Sequence, residues 1–204
     1  MDALILVDIQ YDFLPGGALG IPSAAEIVPL VNRLIANFEL VLATQDWHPA
    51  DHASFAVQHS LSPGEVIDLD GLEQVLWPVH CVQGSRGAEF SDELNTDGIG
   101  KVFRKGTNQR IDSYSGFFDN GHRHDTGLAD YLKSEGVTRV TLAGLATDYC
   151  VLFTAMDSIS AGFETRVVVD ACRGVDLNAG DVDLALAKMQ TAGIELVQSA
   201  DLAP

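Results

Sequence analysis

The chain has 204 residues, 47% hydrophobic and 20% charged, enough for one buried core in a single domain spanning 1–204. Its formal charge of −17 is spread along the chain, which argues against nucleic acid or anionic membrane as a partner, since both select basic surfaces. No run approaches the ~18 apolar residues of a membrane span. The start, "MDALILVDIQ", lacks a basic leader and a cleavage site, so a soluble cytoplasmic protein is expected.

The first apolar run, "ALILVD" (3–8), predicts a strand ending in Asp8. "SAAEIVPLVNRLIANF" (23–38) predicts a helix, with Ser23 as N-cap, Glu26 at the capping-box position and Pro29 as its weak point. "LVLATQ" (40–45) is a second strand. The section from about 46 to 100 is irregular and long, and loops of that size usually carry function. "KVFRKG" (101–106) is a strand, and "DTGLADYLKSEG" (125–136) a helix closed by Gly136. "RVTLAG" (139–144) is a strand and "DYCVLFTAMDSISAG" (148–162) a helix. "TRVVVD" (165–170), "DVDLALAKMQTAG" (181–193) and "IELVQ" (194–198) add strand, helix and strand. About six continuous Val/Ile/Leu strands separated by helices predict an α/β fold. It is a three-layer, doubly wound parallel sheet with helices on both faces.

In a parallel sheet the carboxyl ends of the strands share one edge, where open α/β sheets bind ligands. Asp8 and Lys105 end strands, and Cys150 follows the turn after a third. A helix starting near Thr147 would put Cys150 in its first turn, where the dipole and free N–H groups lower a thiol pKa and can hold an oxyanion. The bland alternatives are a packed thiol, a turn cap for Asp8 and a solvated strand-end charge for Lys105. Packing is the reading for Cys81 and Cys172, and no C-x-x-C pattern suggests a disulfide framework or a thiolate zinc site. Beyond the second strand, "QDWHPADH" (45–52) places Asp46 and His48 two apart, on one side of an extended backbone. "WPVHC" (77–81) adds His80. Two imidazoles and a carboxylate form a ligand set for a divalent metal with open positions, and His52 is a further ligand or an orienting group. His59, His122 and His124 read as surface residues.

These segments resemble the nicotinamidase/pyrazinamidase branch of the isochorismatase-like cysteine hydrolases. The resemblance rests on "LILVDIQYDFLPGGAL" (4–19), "ATQDWHPADHASFA" (43–56), "LWPVHCVQGSRGAEF" (76–90), "VFRKGTNQRIDSYSGFFDN" (102–120) and "LAGLATDYCVLFTAMDS" (142–158). It implies a triad of Asp8, Lys105 and Cys150, and metal ligands Asp46, His48 and His80. It also implies a cis peptide at Leu145–Ala146, an oxyanion hole from the amides of Ala146 and Cys150, and a pocket walled by Phe13, Trp77 and Tyr149. The implied activity is metal-dependent hydrolysis of nicotinamide, and of pyrazinamide, through a cysteine thioester, in salvage towards NAD. The cofactor is one divalent ion, Zn²⁺ first, with Fe²⁺ and Mn²⁺ suited to the same ligands. A homo-oligomer is compatible with the sequence. An amidase for another small amide and a non-catalytic metal or small-molecule binder are the competing readings.

Overall fold

The apolar runs become strands in the computed structural model, which describes residues 1–202. The described strands are β1 (Asp2–Val7), β2 (Leu40–Asp46), β3 (Val66–Leu69), β4 (Leu72–Val75), β5 (Lys101–Lys105), β6 (Arg139–Leu145), β7 (Glu164–Arg173) and β8 (Glu195–Val197). The α-helices are α1 (Ile27–Ile35), α2 (Leu128–Ser134), α3 (Leu152–Ser160) and α4 (Asp181–Thr191). Six strands pair in parallel in the order β5-β2-β1-β6-β7-β8.

Alternation along β1 shows why its sequence is apolar throughout. Leu4 and Leu6 pack on one face with Ile27, Val31 and Leu34 of α1. Ala3, Ile5 and Val7 pack on the other with Leu128 and Leu132 of α2, Ala155 of α3 and Met189 of α4. Side chains of successive strand residues point to opposite faces, so a strand covered on both sides has no polar phase. The three-layer expectation therefore holds. Among the described residues, no helix is long and apolar enough to cross a membrane.

Several boundaries differ from the sequence reading. Ser23 does not cap a helix: it is left-handed at φ 58°, a 3-10 turn covers Ala24–Glu26, and neither Ser23 nor Glu26 makes a side-chain cap bond. α1 starts at Ile27, which leaves Pro29 in the first turn, where its missing N–H costs no helical bond. The section 46–100 is not wholly irregular. β3 and β4 form an antiparallel hairpin across Asp70 and Gly71, both at positive φ (53° and 84°), as a tight two-residue turn requires.

The chain winds β1, β2, β5 to one side and β6, β7, β8 to the other, so the order reverses between β1 and β6. That switch point opens a crevice beyond the carboxyl ends of the strands. The two strands approach closely there. A Cβ on Gly144, at φ 135°, would collide with the Val7 backbone. The peptide Leu145–Ala146 just beyond is cis.

Candidate active site

Four adjacent strands deliver ionisable groups to the crevice. Asp46 and Lys105 are register partners at the ends of β2 and β5. Asp8 follows β1, and Cys150 follows β6. Lys105 Nζ is buried and lies 2.8 Å from Asp8 Oδ2 and 2.6 Å from Asp46 Oδ1. It also donates to the Ser113 carbonyl at 3.0 Å and contacts Cys150 Sγ at 3.3 Å. Asp8 Oδ1 accepts from Thr44 Oγ1 at 2.6 Å, which fixes the carboxylate plane. A carboxylate oxygen of Asp8 lies within 4.8 Å of Cys150 Sγ. The three expected triad residues are thus brought together.

Burial sets the protonation of this group. It lifts Asp8 above the ordinary carboxylate range, with Lys105 opposing. Burial also opposes ionisation of Asp46, yet Lys105 and His48 outweigh it and hold that carboxyl far below the ordinary range. Burial disfavours the Lys105 ammonium too, but the two carboxylates keep it charged. The sequence reading of a lowered Cys150 pKa is corrected. Burial pushes the thiol well above its ordinary value, and Lys105 offsets this only in part. A helical segment does begin at Thr147 and holds Cys150 in its first turn, but that turn is π rather than α. Thr147–Val151 is a π-helical turn in which Val151 N–H donates to the Ala146 carbonyl at 3.0 Å, and α3 begins only at Leu152. Single π turns of this kind recur at functional sites. The Asp8 carboxylate lies beside this thiol.

Asp46 joins this group to a second one. His48 Nε2 and His80 Nε2 lie 3.5 and 3.8 Å from Asp46 Oδ2. His48 Nδ1 is 2.9 Å from the Gly106 carbonyl and His80 Nδ1 is 2.8 Å from the Pro78 carbonyl. A carbonyl only accepts, so both Nδ1 atoms carry the hydrogen and both Nε2 lone pairs face Asp46. Buried His48 Nε2 has no hydrogen-bond partner. Lone pairs converging on a carboxylate call for a cation between them, and two imidazoles with one carboxylate fit a divalent transition ion. Burial, followed by neighbouring His48, takes His80 down to about 4, which keeps its lone pair free at neutral pH.

His52 stands apart from that cluster. Its Nδ1 is 2.8 Å from Ser54 Oγ and accepts from Ser54 N–H at 3.3 Å, while Nε2 faces the Ile111 carbonyl at 3.4 Å. Both nitrogens are engaged by the protein, and the ring packs 4.3 Å from that of His48. His52 is not in the Asp46–His48–His80 group, but with His48 and Asp112 it forms a second group whose ligand atoms lie within 4.8 Å of one another. His59, His122 and His124 lie outside the site, as expected from their loop contexts.

A narrow cavity opens beside Cys150. Phe13, Leu19, Trp77, Tyr114, Tyr149 and Val175 make its apolar walls, and Asp46, His80, Asp112, Ala146 and Cys150 supply the polar end. Phe13, Trp77 and Tyr149 are the walls that the resemblance implies; Tyr114, Asp112, Leu19 and Val175 join them here. "IDSY" (111–114) lies in an irregular stretch with no periodicity to assign its sides, and Val175 enters only because the loop after β7 folds back. Asp148 holds that loop by accepting from Val175 and Asp176 N–H at 2.9 and 2.8 Å.

Residues 2–201 match the isochorismatase domain family. The nicotinamidase of Escherichia coli K12 is 47% identical over 203 residues, which cover 98% of this chain and 95% of that one. The chain belongs to the isochorismatase family. Within it, the structure of a nicotinamidase/pyrazinamidase from Acinetobacter baumanii superposes with a TM-score of 0.96 at 46% identity, covering 99% of this chain and 98% of that one. A pyrazinamidase from Pyrococcus horikoshii, solved in complex with zinc, gives 0.79 at 39% identity, covering 97% and 98%.

Proposed function

We propose that this chain is a nicotinamidase that hydrolyses nicotinamide, and pyrazinamide, to the carboxylic acid and ammonia. The observation that carries the reading is Lys105 Nζ, which touches Asp8, Asp46 and Cys150 at once and so joins a nucleophile–base pair to a ligand cluster. The names of the family members matched over nearly the whole chain point to the same reaction.

The residue types then take these roles. Asp8 removes the Cys150 proton as sulfur attacks the carboxamide carbon, and Lys105 balances the negative charge that moves between them. Backbone N–H groups of Ala146 and Cys150 hold the oxyanion. Asp8 returns the proton to nitrogen, the C–N bond breaks, and ammonia leaves a nicotinoyl thioester on Cys150. Asp8 next takes a proton from water, whose oxygen attacks the thioester carbon. The C–S bond breaks, the thiol is re-formed and nicotinate departs. Phe13, Trp77 and Tyr149 hold the flat ring, with Tyr114 completing the wall. Asp46, His48 and His80 would hold one divalent ion, zinc first and Fe²⁺ or Mn²⁺ next, which supplies an anchor for the lone pair of the pyridine nitrogen. Supporting the metal are the unpartnered His48 Nε2 and the zinc in the Pyrococcus horikoshii relative. The cell would use this reaction in the cytoplasm to return nicotinamide towards NAD.

The test is ammonia release from nicotinamide by the purified protein, before and after chelation, with elemental analysis of the same samples. Activity that disappears on chelation and returns with one divalent ion is the expected result. Benzamide, which lacks the ring nitrogen, should be a poor substrate. Equal rates on benzamide and nicotinamide would remove the anchoring role, and no turnover of either would remove the nicotinamidase reading.

A further inference from the structure

The β3–β4 hairpin is exposed on most of its surface, and Gln74 is its only buried strand residue. A hairpin lying on a protein ordinarily anchors itself with an apolar side chain, because a buried amide is costly unless its hydrogen bonds are met. The Gln74 amide nitrogen reaches two wall residues of the proposed substrate cavity, Asp112 and Tyr114. This Nε2 lies 2.7 Å from the Val75 carbonyl, 3.0 Å from Asp112 Oδ2 and 3.1 Å from Tyr114 Oη, so its two hydrogens are shared among three acceptors. The amide orientation is forced, since its oxygen turned towards Asp112 and Val75 would face two acceptors.

Tyr114 Oη passes the constraint on. It also accepts from Trp77 Nε1 at 3.2 Å. The rings of Trp77, Tyr114 and Tyr149 form an edge-to-face triangle, with centroid separations of 6.5, 5.4 and 4.8 Å. All three rings line the cavity. Two of its corners are thus fixed by polar bonds that converge on one phenol oxygen, which Gln74 holds from behind. Asp112, the second acceptor for Gln74, is tied at its other oxygen to Ser113 N–H at 2.7 Å, and the Ser113 carbonyl accepts from Lys105.

We propose that Gln74 is a positioning residue for substrate binding: the hairpin serves as a brace whose amide fixes the Tyr114–Trp77 wall against which the aromatic ring of the substrate rests. This rests on the functional reading above. Gln74 does not itself line the cavity, so its effect passes through Tyr114 and Asp112. Because the wall binds the ring alike before and during the reaction, loosening it raises KM and spares kcat.

The experiment compares wild type, Gln74→Met, Tyr114→Phe and the double variant, each as metal-loaded full-length protein. Gln74→Met keeps the stem and removes the donor. The expected result is about a tenfold rise in KM for nicotinamide with kcat held within about threefold, the size of one lost buried hydrogen bond. Tyr114→Phe should give a similar shift, and the double variant should be no worse than the more affected single one. In substrate-free protein, Gln74→Met should also red-shift the tryptophan emission and expose it to acrylamide, because Trp77 loses its constraint. Unchanged KM and emission in Gln74→Met, even with a lowered melting temperature, would reduce Gln74 to a structural residue and overturn the proposal. Additive effects of the two substitutions would overturn it as well. Should Gln74→Met fail to fold, the isosteric Gln74→Glu takes its place with the same readouts, its carboxylate repelling Asp112. If wild type does not turn over nicotinamide, the functional reading fails, while tryptophan emission still decides whether Gln74 braces the wall.

Discussion

A single ammonium, Lys105 Nζ, sits between the carboxylates of Asp8 and Asp46, and all three side chains are buried. Removing it leaves two uncompensated charges in the core, so Lys105→Met should cost about 3–5 kcal/mol in a urea unfolding experiment as well as all turnover. Cys150→Ala removes the proposed nucleophile but no charge. It should abolish turnover at a cost of about 1 kcal/mol, and a variant that still releases ammonia would clear Cys150 of the role. As the proposed base, Asp8 should also govern the pH dependence. It acts as a base only when ionised, and burial lifts its pKa above 3.8, so kcat/KM should fall as pH drops through a value above the ordinary carboxylate range. Burial disfavours the charged form of His48, yet Asp46 raises its pKa above 6.5, so protons also compete for that nitrogen in acid. Profiles at rising metal concentration separate the two: an acid limb that stays in place belongs to Asp8, and one that moves belongs to His48. The reactive residue types were legible in the sequence because parallel strands bring their ends together whatever the loops do. The direction of the Cys150 shift was not, because nothing in a string of letters reports that a side chain has lost its water.

Each group of the site is aimed by the element behind it, and the turn after β5 leaves no room for a side chain. Gly106, at φ 62°, follows the last residue of β5, and a Cβ there would overlap the His48 imidazole. Its carbonyl accepts from His48 Nδ1, so the residue both makes space for the ring and fixes its tautomer. Gly106→Ala should therefore turn His48 away from Asp46 and weaken metal binding by about 10- to 100-fold in a competition titration with a chromophoric chelator. Retained affinity would show that His48 is not a ligand. The main strands and helices were readable because apolar runs and periodic faces extend over many residues. The β3–β4 hairpin was also readable in principle, since Asp70–Gly71 between "VIDL" and "LEQV" is a strong two-residue turn signal. The π turn at Cys150 was not. Its i to i+5 bond, from Val151 N–H to the Ala146 carbonyl, has no residue signature in "TDYCV" (147–151).

At the scale of the whole molecule, a formal charge of −17 surrounds a site whose proposed substrate is neutral and whose proposed product is an anion. A long-range field exerts no net force on neutral nicotinamide, so its KM should hold within about twofold as salt rises. Nicotinate carries a full negative charge and must leave through the same cavity, where Asp46 and Asp112 line the polar end. Repulsion from the protein speeds that departure and weakens rebinding at low ionic strength. Salt screens exposed charges beyond about 8 Å at 0.15 M and about 3 Å at 1 M, which removes most of the effect. Nicotinate should accordingly inhibit more strongly at about 0.5 M salt than at about 0.02 M, while the kinetics of nicotinamide stay level. Initial-rate inhibition at both salt concentrations, with metal kept saturating, measures the two constants together. An inhibition constant for nicotinate that rises with salt would mean that a positive local field, centred on the metal cluster and Lys105, dominates over the acidic surface and draws the product back.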